Sequence, residues 1–329
     1  MISIVMPLYN AEATIRQTIE SIRQQTFSDW ECICVDDGSI DDSWNILKHY
    51  SAEDNRFICL QQQNAGPSAA RNAALQKVRG DWLMFVDADD LLALRTLELS
   101  LKVAEGERVD AVIFAYEIIP WESTAESMAW LNASLAMTSS PETFCSTTPV
   151  KTVFSQANLR SVWGKLYRMD CVRDVRFDID QVPGREDMLW LCEATTKLQR
   201  LSVMPQKFYG YRVGECSVTR RAITVDYLLW HLRSEAKVGR FLVEQGKRSS
   251  EWKEVKDAYQ NVIFTENLKW LFQKTKELRK KDLADFRSSL REMVKAKLFQ
   301  PQYLSISKRF LVMMFLLGWD APLWRRYRG

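Results

Sequence analysis

Three carboxylates in four residues, Asp87, Asp89 and Asp90, stand directly behind the apolar run Trp82-Leu83-Met84-Phe85-Val86. A short apolar run bounded by Gly80 and by acids reads as a strand buried on both faces. Carboxylates two residues apart at the end of such a strand face the same way, so Asp87 and Asp89 could share one divalent cation. An all-oxygen donor set suits a hard ion such as Mg²⁺ or Mn²⁺. The same acids have a plainer use. Asp is a good N-cap and acids suit a helix N-terminus, so Asp89 and Asp90 could simply open a helix at Leu91. Two further acidic pairs stand out. Asp36-Asp37 ends the run from Trp30 to Val35, and Glu186-Asp187 follows Pro183-Gly184-Arg185 and precedes an apolar helix from Met188 to Leu198.

The elements that must position these acids alternate in type. Ile2 to Met6 reads as a buried strand ended by Pro7, and Leu8-Tyr9-Asn10 as a turn. Ala11 to Gln25 carries Ile15, Ile19 and Ile22 at helical spacing. Trp30 to Val35 is a second strand, with a helix from Asp41 to about Tyr50. Phe57 to Leu60 is a third strand, Asn64-Ala65-Gly66-Pro67 a turn, and Ser68 to Val78 a helix. Ala111 to Ala115 is another apolar run. Alternating strands and helices imply α/β architecture, a mixed and mostly parallel sheet flanked by helices. Three polar clusters then fall at carboxyl ends of strands: Pro7-Leu8-Tyr9-Asn10, Asp36-Asp37-Gly38-Ser39 and Asp87-Ala88-Asp89-Asp90. Open α/β sheets bind ligands at that edge. Neither G-x-G-x-x-G nor G-x-x-x-x-G-K-[ST] occurs, so dinucleotide-fingerprint and P-loop chemistry are unsupported.

Composition narrows the class. The 329 residues carry a formal net charge of +3, which gives no general case for nucleic acid. The seven cysteines are odd in number and form no C-x-x-C, which points to free thiols in a reducing compartment. With only two histidines, His49 and His231, His-based zinc chemistry is disfavoured. Ile2-Ser3-Ile4-Val5-Met6 has no basic leader before it and reads as a strand rather than a signal peptide.

The series Val5-Met6-Pro7-Leu8-Tyr9-Asn10, Val35-Asp36-Asp37-Gly38-Ser39, Asn64-Ala65-Gly66-Pro67-Ser68-Ala69-Ala70-Arg71-Asn72 and Phe85-Val86-Asp87-Ala88-Asp89-Asp90 resembles glycosyltransferase family 2 in order and spacing. The resemblance covers roughly the first third of the chain. It implies a GT-A fold (a Rossmann-like nucleotide-binding sheet) and an inverting enzyme that uses a nucleotide-sugar donor, a UDP-sugar, with Mn²⁺ or Mg²⁺. Carried onto this chain, it implies that Asp36 accepts a hydrogen bond from the base. Pro7 and Tyr9 would line the nucleoside slot, with Asp37 and Ala88 beside it. Arg71 would approach the base or diphosphate, or else form an ion pair on a helix surface. Asp87 would contact the ribose side, and Asp89 would coordinate the metal, a Lewis acid toward the departing diphosphate. Asp90 is expected as a helix cap.

Further along, Glu122 to Pro149 reads as a variable loop region with room for a short helix. Ser161-Val162-Trp163-Gly164-Lys165-Leu166-Tyr167-Arg168 is similar to a W-x-K-L-(Y/F)-R segment of polysaccharide-type members. There Trp163 offers either a face for a sugar ring or ordinary core packing. Glu186-Asp187 resembles the family's E-D motif, which implies Asp187 as general base and Glu186 as a supporting acid; the helix dipole alone could also explain them. The segment Tyr209 to Arg221 resembles one that follows this motif. It is expected as a loop over the diphosphate, with Ser217, Thr219, Arg220 or Arg221 as donors. The Q-x-x-R-W motif of processive members is absent, which favours transfer of a single sugar.

Residues 1–222 are therefore expected as a catalytic domain, 1–115 binding the nucleotide-sugar and 116–222 forming the acceptor side. Residues 223–329 are expected as a helical region with a break at Gly246-Lys247-Arg248-Ser249-Ser250. Trp252, Trp270 and Phe272 are expected as core. The run from Phe310 to Trp319 is too short to span a bilayer. Its flanking Lys308, Arg309, Trp324, Arg325, Arg326, Tyr327 and Arg328 suit either a membrane interface or the solvated end of a buried helix. Interface binding at 308–328 would place the protein on the inner face of the cytoplasmic membrane, near a glycan or lipid-linked glycan acceptor. Two rivals remain: a sugar-phosphate nucleotidyltransferase, which would usually carry a Gly-rich N-terminal loop, and an inactive sugar-nucleotide-binding scaffold.

Overall fold

The computed structural model describes residues 1–120, 124–134, 136–137, 143–147, 161–180, 186–213 and 224–258, with a few helical residues between 284 and 292. The chain divides into two compact units. One comprises Met1–Ile179 and Glu186–Thr219, the other Asp180–Arg185 and Arg220–Gly329.

The first unit is built on a nine-stranded sheet. Strand β1 (Ile2–Leu8) lies between β2 (Trp30–Asp36) and β4 (Trp82–Phe85), and β3 (Phe57–Gln61) flanks β2; these four strands are parallel. Beyond β4 the sheet becomes mixed. Strand β8 (Lys165–Arg168) runs antiparallel to β4 and to β6 (Ala111–Pro120), and β6 pairs in parallel with the long β9 (Leu201–Val213). Two short strands, β5 (Leu91–Leu92) and β7 (Phe144–Ser146), pair antiparallel with β9.

Strand alternation sends side chains to two cores. Ile4 and Met6 pack with Ile15, Ile19 and Ile22 of helix α1 (Ile15–Arg23), and with Ile46 and Leu47 of α2 (Ser43–Glu53). Val5, Ile33 and Phe85 face the other way, against Ala70 and Ala74 of α3 (Pro67–Leu75) and against Trp190. The sheet is thus covered on both faces, which explains why its central strands read as continuous apolar runs.

Pro7 does not end β1. Val5 turns its backbone carbonyl toward β4 and Leu8 turns its own toward β2, so Pro7 faces the β4 side. There β4 has already ended, its last pair being Val5 with Phe85, and the missing N–H breaks no ladder. The strand runs on to Leu8, whose partner is Asp36.

Other expectations shift. Helices α1, α2 and α3 start or stop a few residues from the expected ends. No helix begins at Leu91; that residue opens β5, and helix α4 spans Thr96–Gly106. The region 122–149, expected as a variable loop with room for a short helix, contains helix α5 (Thr124–Ser134) and, beyond that expectation, β7. A single-turn α6 (Met169–Val172) follows β8, and α7 (Glu186–Thr195) begins at the second acidic motif. The segment expected as a loop from Tyr209 is in part strand, because 209–213 complete β9; residues 214–223 lie outside the described residues.

In the second unit, α8 (Val225–Gly246) and α9 (Ser250–Ala258) flank the break at 246–250. Trp252 is buried, its ring 5.7 Å from that of Phe241. Trp270, Phe272 and the tail at 308–328 lie outside the described residues. No helix among the described residues is long and apolar enough to cross a membrane.

Candidate active site

The parallel register brings three strand ends together. Leu8 of β1 pairs with Asp36, and Phe85 pairs with Val5, so the segments after β1, β2 and β4 share one sheet edge. The Asp37 amide donates to the Leu8 carbonyl at 2.9 Å. Asn10, at φ 51°, receives Ile40 N–H on its side-chain oxygen, and its own N–H donates to Ser39 Oγ. Tyr9 stands beside this junction, 40% exposed.

Asp36 is fully buried, with its carboxylate held by Ser39 N–H at 3.3 Å and the Gln61 amide at 2.9 Å. Asp37 is turned elsewhere. Its oxygens accept from the Gln62 side chain at 2.7 Å and from the amides of Ala65 and Gly66 at 2.9 and 2.8 Å. It fixes the turn that launches α3. Gly38, at φ +75°, passes so close to this turn that a Cβ would lie 2.9 Å from Asn64 N.

The acids behind β4 form the centre of the site. One oxygen from each of Asp87, Asp89 and Asp90 falls within 4.8 Å of the others. Their environments differ. Asp90 is 1% exposed; it accepts from Tyr209 Oη at 2.7 Å and from Arg212 N–H at 2.9 Å. It caps no helix, since four residues separate it from the Arg95 cap of α4. Pairing of β5 with Tyr209 and Gly210 overrides the capping tendency of Asp. Ala88 turns its carbonyl to Thr14 and Thr18 of α1 at 3.1 and 2.9 Å. Burial, then the Asp87 charge, pushes the Asp89 carboxyl up to about 6. Burial and the charges of Asp89 and Asp87 push Asp90 well up too. Crowded, desolvated carboxylates of this kind fit a hard divalent cation, which would relieve their repulsion. Asp89 is the member left for it, as Asp90 is committed to Tyr209 and Arg212 and Asp87 to Arg71.

Arg71 is neither a surface residue nor aimed away from the acids. It is 4% exposed, and its guanidinium reaches Asp87 at 2.9 Å, Glu186 at 2.7 Å and Asp187 at 3.3 Å. Phe177 lies beneath it, 5.2 Å from ring centroid to Cζ. Asn72, the next residue of α3, holds Phe177 through paired 2.8 Å hydrogen bonds with its amide and carbonyl. Phe177 in turn stacks on Trp190 of α7, and Phe85 and Tyr167 meet Trp190 edge-on. The acidic start of α7 is thereby pinned to the sheet edge. Burial works against the Arg71 cation, but the charges of Asp187, Asp87 and Glu186 outweigh it and raise its pKa.

Asp187 accepts from Val162 N–H at 3.1 Å through Oδ2, while Oδ1 accepts no hydrogen bond among the described residues. Burial pushes its carboxyl up to about 7; Arg71 draws it back, and Glu186 and Asp87 push it further up. Trp163, beside Val162, is stacked against Tyr209 at 4.5 Å and Tyr211 at 5.3 Å, with Tyr116 edge-on. Trp163, Tyr116 and Tyr211 are half-buried and pack against the core, so the core-packing reading of Trp163 is the one with contacts behind it.

The structure therefore gathers Asp87, Asp89, Glu186 and Asp187 around Arg71, with Asp36 on the same edge. Ser217, Thr219, Arg220 and Arg221 lie outside the described residues. Sequence reasoning missed the positions of Tyr209 and Arg212. The Arg212 guanidinium meets the Asp89 carbonyl, Gln17 Oε1 and Thr18 Oγ1, tying β9 to α1 and to the acidic turn. The alternation Tyr209-x-Tyr211-x-Val213 was the strand signal that could have placed them.

The family model for glycosyl transferase family 2 matches residues 3–175. The chain belongs to glycosyl transferase family 2. That match takes in every donor-side residue described above and stops before Glu186 and Asp187. Among relatives, the putative glycosyltransferase EpsH of Bacillus subtilis (strain 168) is 30% identical over 223 residues, 67% of this chain and 63% of EpsH. The poly(ribitol-phosphate) beta-N-acetylglucosaminyltransferase TarS of Staphylococcus aureus (strain MW2) is 26% identical over 65% of this chain and 36% of TarS. The chain thus spans less than two thirds of the length of these curated relatives. In fold, the family 2 chain resembles S. aureus TarS 1–349 in complex with UDP-GlcNAc, with a TM-score of 0.69, 18% identity, and coverage of 97% of this chain and 88% of that one. It also resembles the mannosyltransferase PcManGT from Pyrobaculum calidifontis in complex with GDP-Man and Mn²⁺, with a TM-score of 0.54, 16% identity, and coverage of 99% and 87%. The GT-A fold expected of the sequence is the fold these structures share with it.

Proposed function

We propose that this protein is an inverting glycosyltransferase that moves one sugar from a nucleotide-sugar, a UDP-sugar, to a hydroxyl of a glycan or lipid-linked glycan in surface polysaccharide synthesis. One observation carries the reading: Arg71 holds the donor-side Asp87 and the pair Glu186-Asp187 in a single cluster, from opposite sides of one guanidinium. A donor-side acid and a candidate base are thereby fixed near each other at the edge where this fold binds ligands.

In this reading Asp36 takes a hydrogen bond from the base of the nucleotide, its buried carboxylate already aimed by Ser39 and Gln61. Pro7 and Tyr9 border the nucleoside, and Asp87 faces the ribose. Asp89, with Asp87 beside it, would hold Mn²⁺ or Mg²⁺, which as a Lewis acid stabilises charge on a departing diphosphate. Asp187 performs the proton transfer. Its carboxylate takes the proton of the acceptor hydroxyl as that oxygen bonds to the anomeric carbon. The bond from that carbon to the diphosphate breaks, and the nucleoside diphosphate leaves with the electron pair. Attack opposite the leaving group inverts the anomeric centre. A carboxyl poised near neutrality suits a general base. The TarS complex with UDP-GlcNAc and the PcManGT complex with Mn²⁺ support the donor class and the metal class by likeness of fold.

The test is a thermal-shift panel of nucleoside diphosphates and nucleotide-sugars, each with and without Mn²⁺, on wild type and Asp89→Ala. A Mn²⁺-dependent shift with UDP compounds, absent in the variant, is expected. A well-folded sample that responds to no nucleotide would sink the donor site. The basic, aromatic tail at 308–328 is proposed to rest on the inner face of the cytoplasmic membrane. Cosedimentation with anionic vesicles, lost on truncation at 307, checks that part alone.

A further inference from the structure

We propose that Lys165 is a positioning residue for Asp187: it locks the hook formed by residues 161–164, whose Val162 N–H is aimed at the Asp187 carboxylate. The inference deepens the proposed reading, in which Asp187 is the base, and rests on it for its functional meaning.

Lys165 opens β8 and is 2% exposed, an unusual place for a lysine with no carboxylate bonded to it. Its ammonium donates to the Ser161 carbonyl at 2.5 Å and to the Trp163 carbonyl at 3.3 Å. Those carbonyls flank Val162, whose N–H donates to Asp187 Oδ2 at 3.1 Å and whose own carbonyl accepts from Tyr167 Oη at 3.3 Å. Gly164, at φ +70°, lets the chain fold back over the ammonium, a conformation strained for other residues. The hook is therefore closed from inside by one cation, and its outward N–H is aimed at the candidate base.

Charge points the same way. Arg71 from α3, Asp87 from the β4 end and Glu186 from α7 itself act on Asp187, and the Asp187 charge acts in turn on Lys165 and Tyr167 of β8. Arg71 is shared among three carboxylates, so it cannot neutralise them alone. Lys165 is the second buried basic group of this region. Burial draws its own pKa down to about 7, while the Asp187 charge props it up.

The test needs no substrate. Aspartate carboxyls are labelled with ¹³C, and the Asp187 resonance is assigned by its loss in Asp187→Asn. In Lys165→Met the Asp187 midpoint is expected to rise by about one pH unit or more, and the Val162 amide to lose its protection from hydrogen exchange. An unmoved midpoint in a folded variant overturns the proposal. If Lys165→Met does not fold, the coupling is read from the other end. The Lys165 midpoint, read from its ¹³Cε shift, should fall in Asp187→Asn, because the Asp187 charge props it up in wild type; an unmoved midpoint overturns the proposal. Glycosyl transfer that survives Asp187→Asn would remove the base assignment while leaving both titrations to stand or fall independently.

Discussion

The two acidic groups of the site are built differently. At Glu186-Asp187, the protein brings its own cations: Arg71 bonds Glu186 at 2.7 Å and approaches Asp187 at 3.3 Å, and Lys165 lies buried behind the hook. At Asp87-Asp89-Asp90, three carboxylates crowd within 4.8 Å, and Arg71 bonds the Asp87 carboxylate. Arg212 meets that turn through its own N–H and the Asp89 carbonyl. The lesson is one of neutralisation. In the proposed reading, the candidate base lies among basic side chains, whereas the candidate metal cluster holds three carboxylates close together.

The contrast can be broken in several ways. The largest effect is expected at the base. Asp187→Asn should cut glycosyl transfer by about 10²- to 10⁴-fold, with UDP binding measured by calorimetry unchanged. Activity close to wild type would end the division of labour. Next comes the shared cation. Arg71→Met removes the guanidinium that bonds buried Glu186 and Asp87 and should cost about 3–5 kcal/mol of stability in denaturant unfolding. A loss under ~1 kcal/mol would mean the ion pairs are incidental. Tyr209→Phe removes two hydrogen bonds, the one donated to Asp90 and the one accepted from the Asp87 N–H, and should cost about 1.5–3 kcal/mol in denaturant unfolding, with weaker Mn²⁺ binding.

The smallest effect is on pH. Asp89 and Asp187 have folded-state pKa values of about 6 and about 7, above an unfolded value of about 3.9. A raised carboxylate pKa means the folded state holds the proton more tightly. The contribution of these two groups therefore favours folding at low pH and is lost as pH rises from about 4 through about 7. Metal-free melting temperature should fall across that window, and Mn²⁺ should restore it most at the upper end. The transfer rate should fall as pH drops below about 7, where Asp187 is protonated. Melting curves that Mn²⁺ raises equally at pH 5 and pH 8 would contradict the assignment of Asp89.

Much of the donor half was legible because parallel strands buried on both faces announce themselves as apolar runs. The acids behind β2 and β4 then fall at one edge by register alone, as Leu8 with Asp36 shows. What the sequence concealed depends on distant pairing. Asp90 reads as a cap until β9 is known to lie beside Leu91, and β9 itself was obscured by Pro205 and Gly210 within it. Arg71 could be suspected of function but not of its partners, since Glu186 lies 115 residues away. Lys165 carried no signal beyond its motif. Only the fold shows that a lysine inside a short strand is buried behind the candidate base.

The reach of Arg212 has a consequence for the order of folding. It contacts Gln17 across 195 residues and the Asp89 carbonyl across 123, while the adjoining Tyr209 holds Asp90. Contacts of such separation close late, because a long loop must be immobilised before they form. On a ribosome, the turn at 87–90 waits for most of the catalytic unit to emerge before its carboxylates can be set in place. A nascent chain ending before residue 209 would lack the contacts from Tyr209 and Arg212 that fix the turn at 87–90.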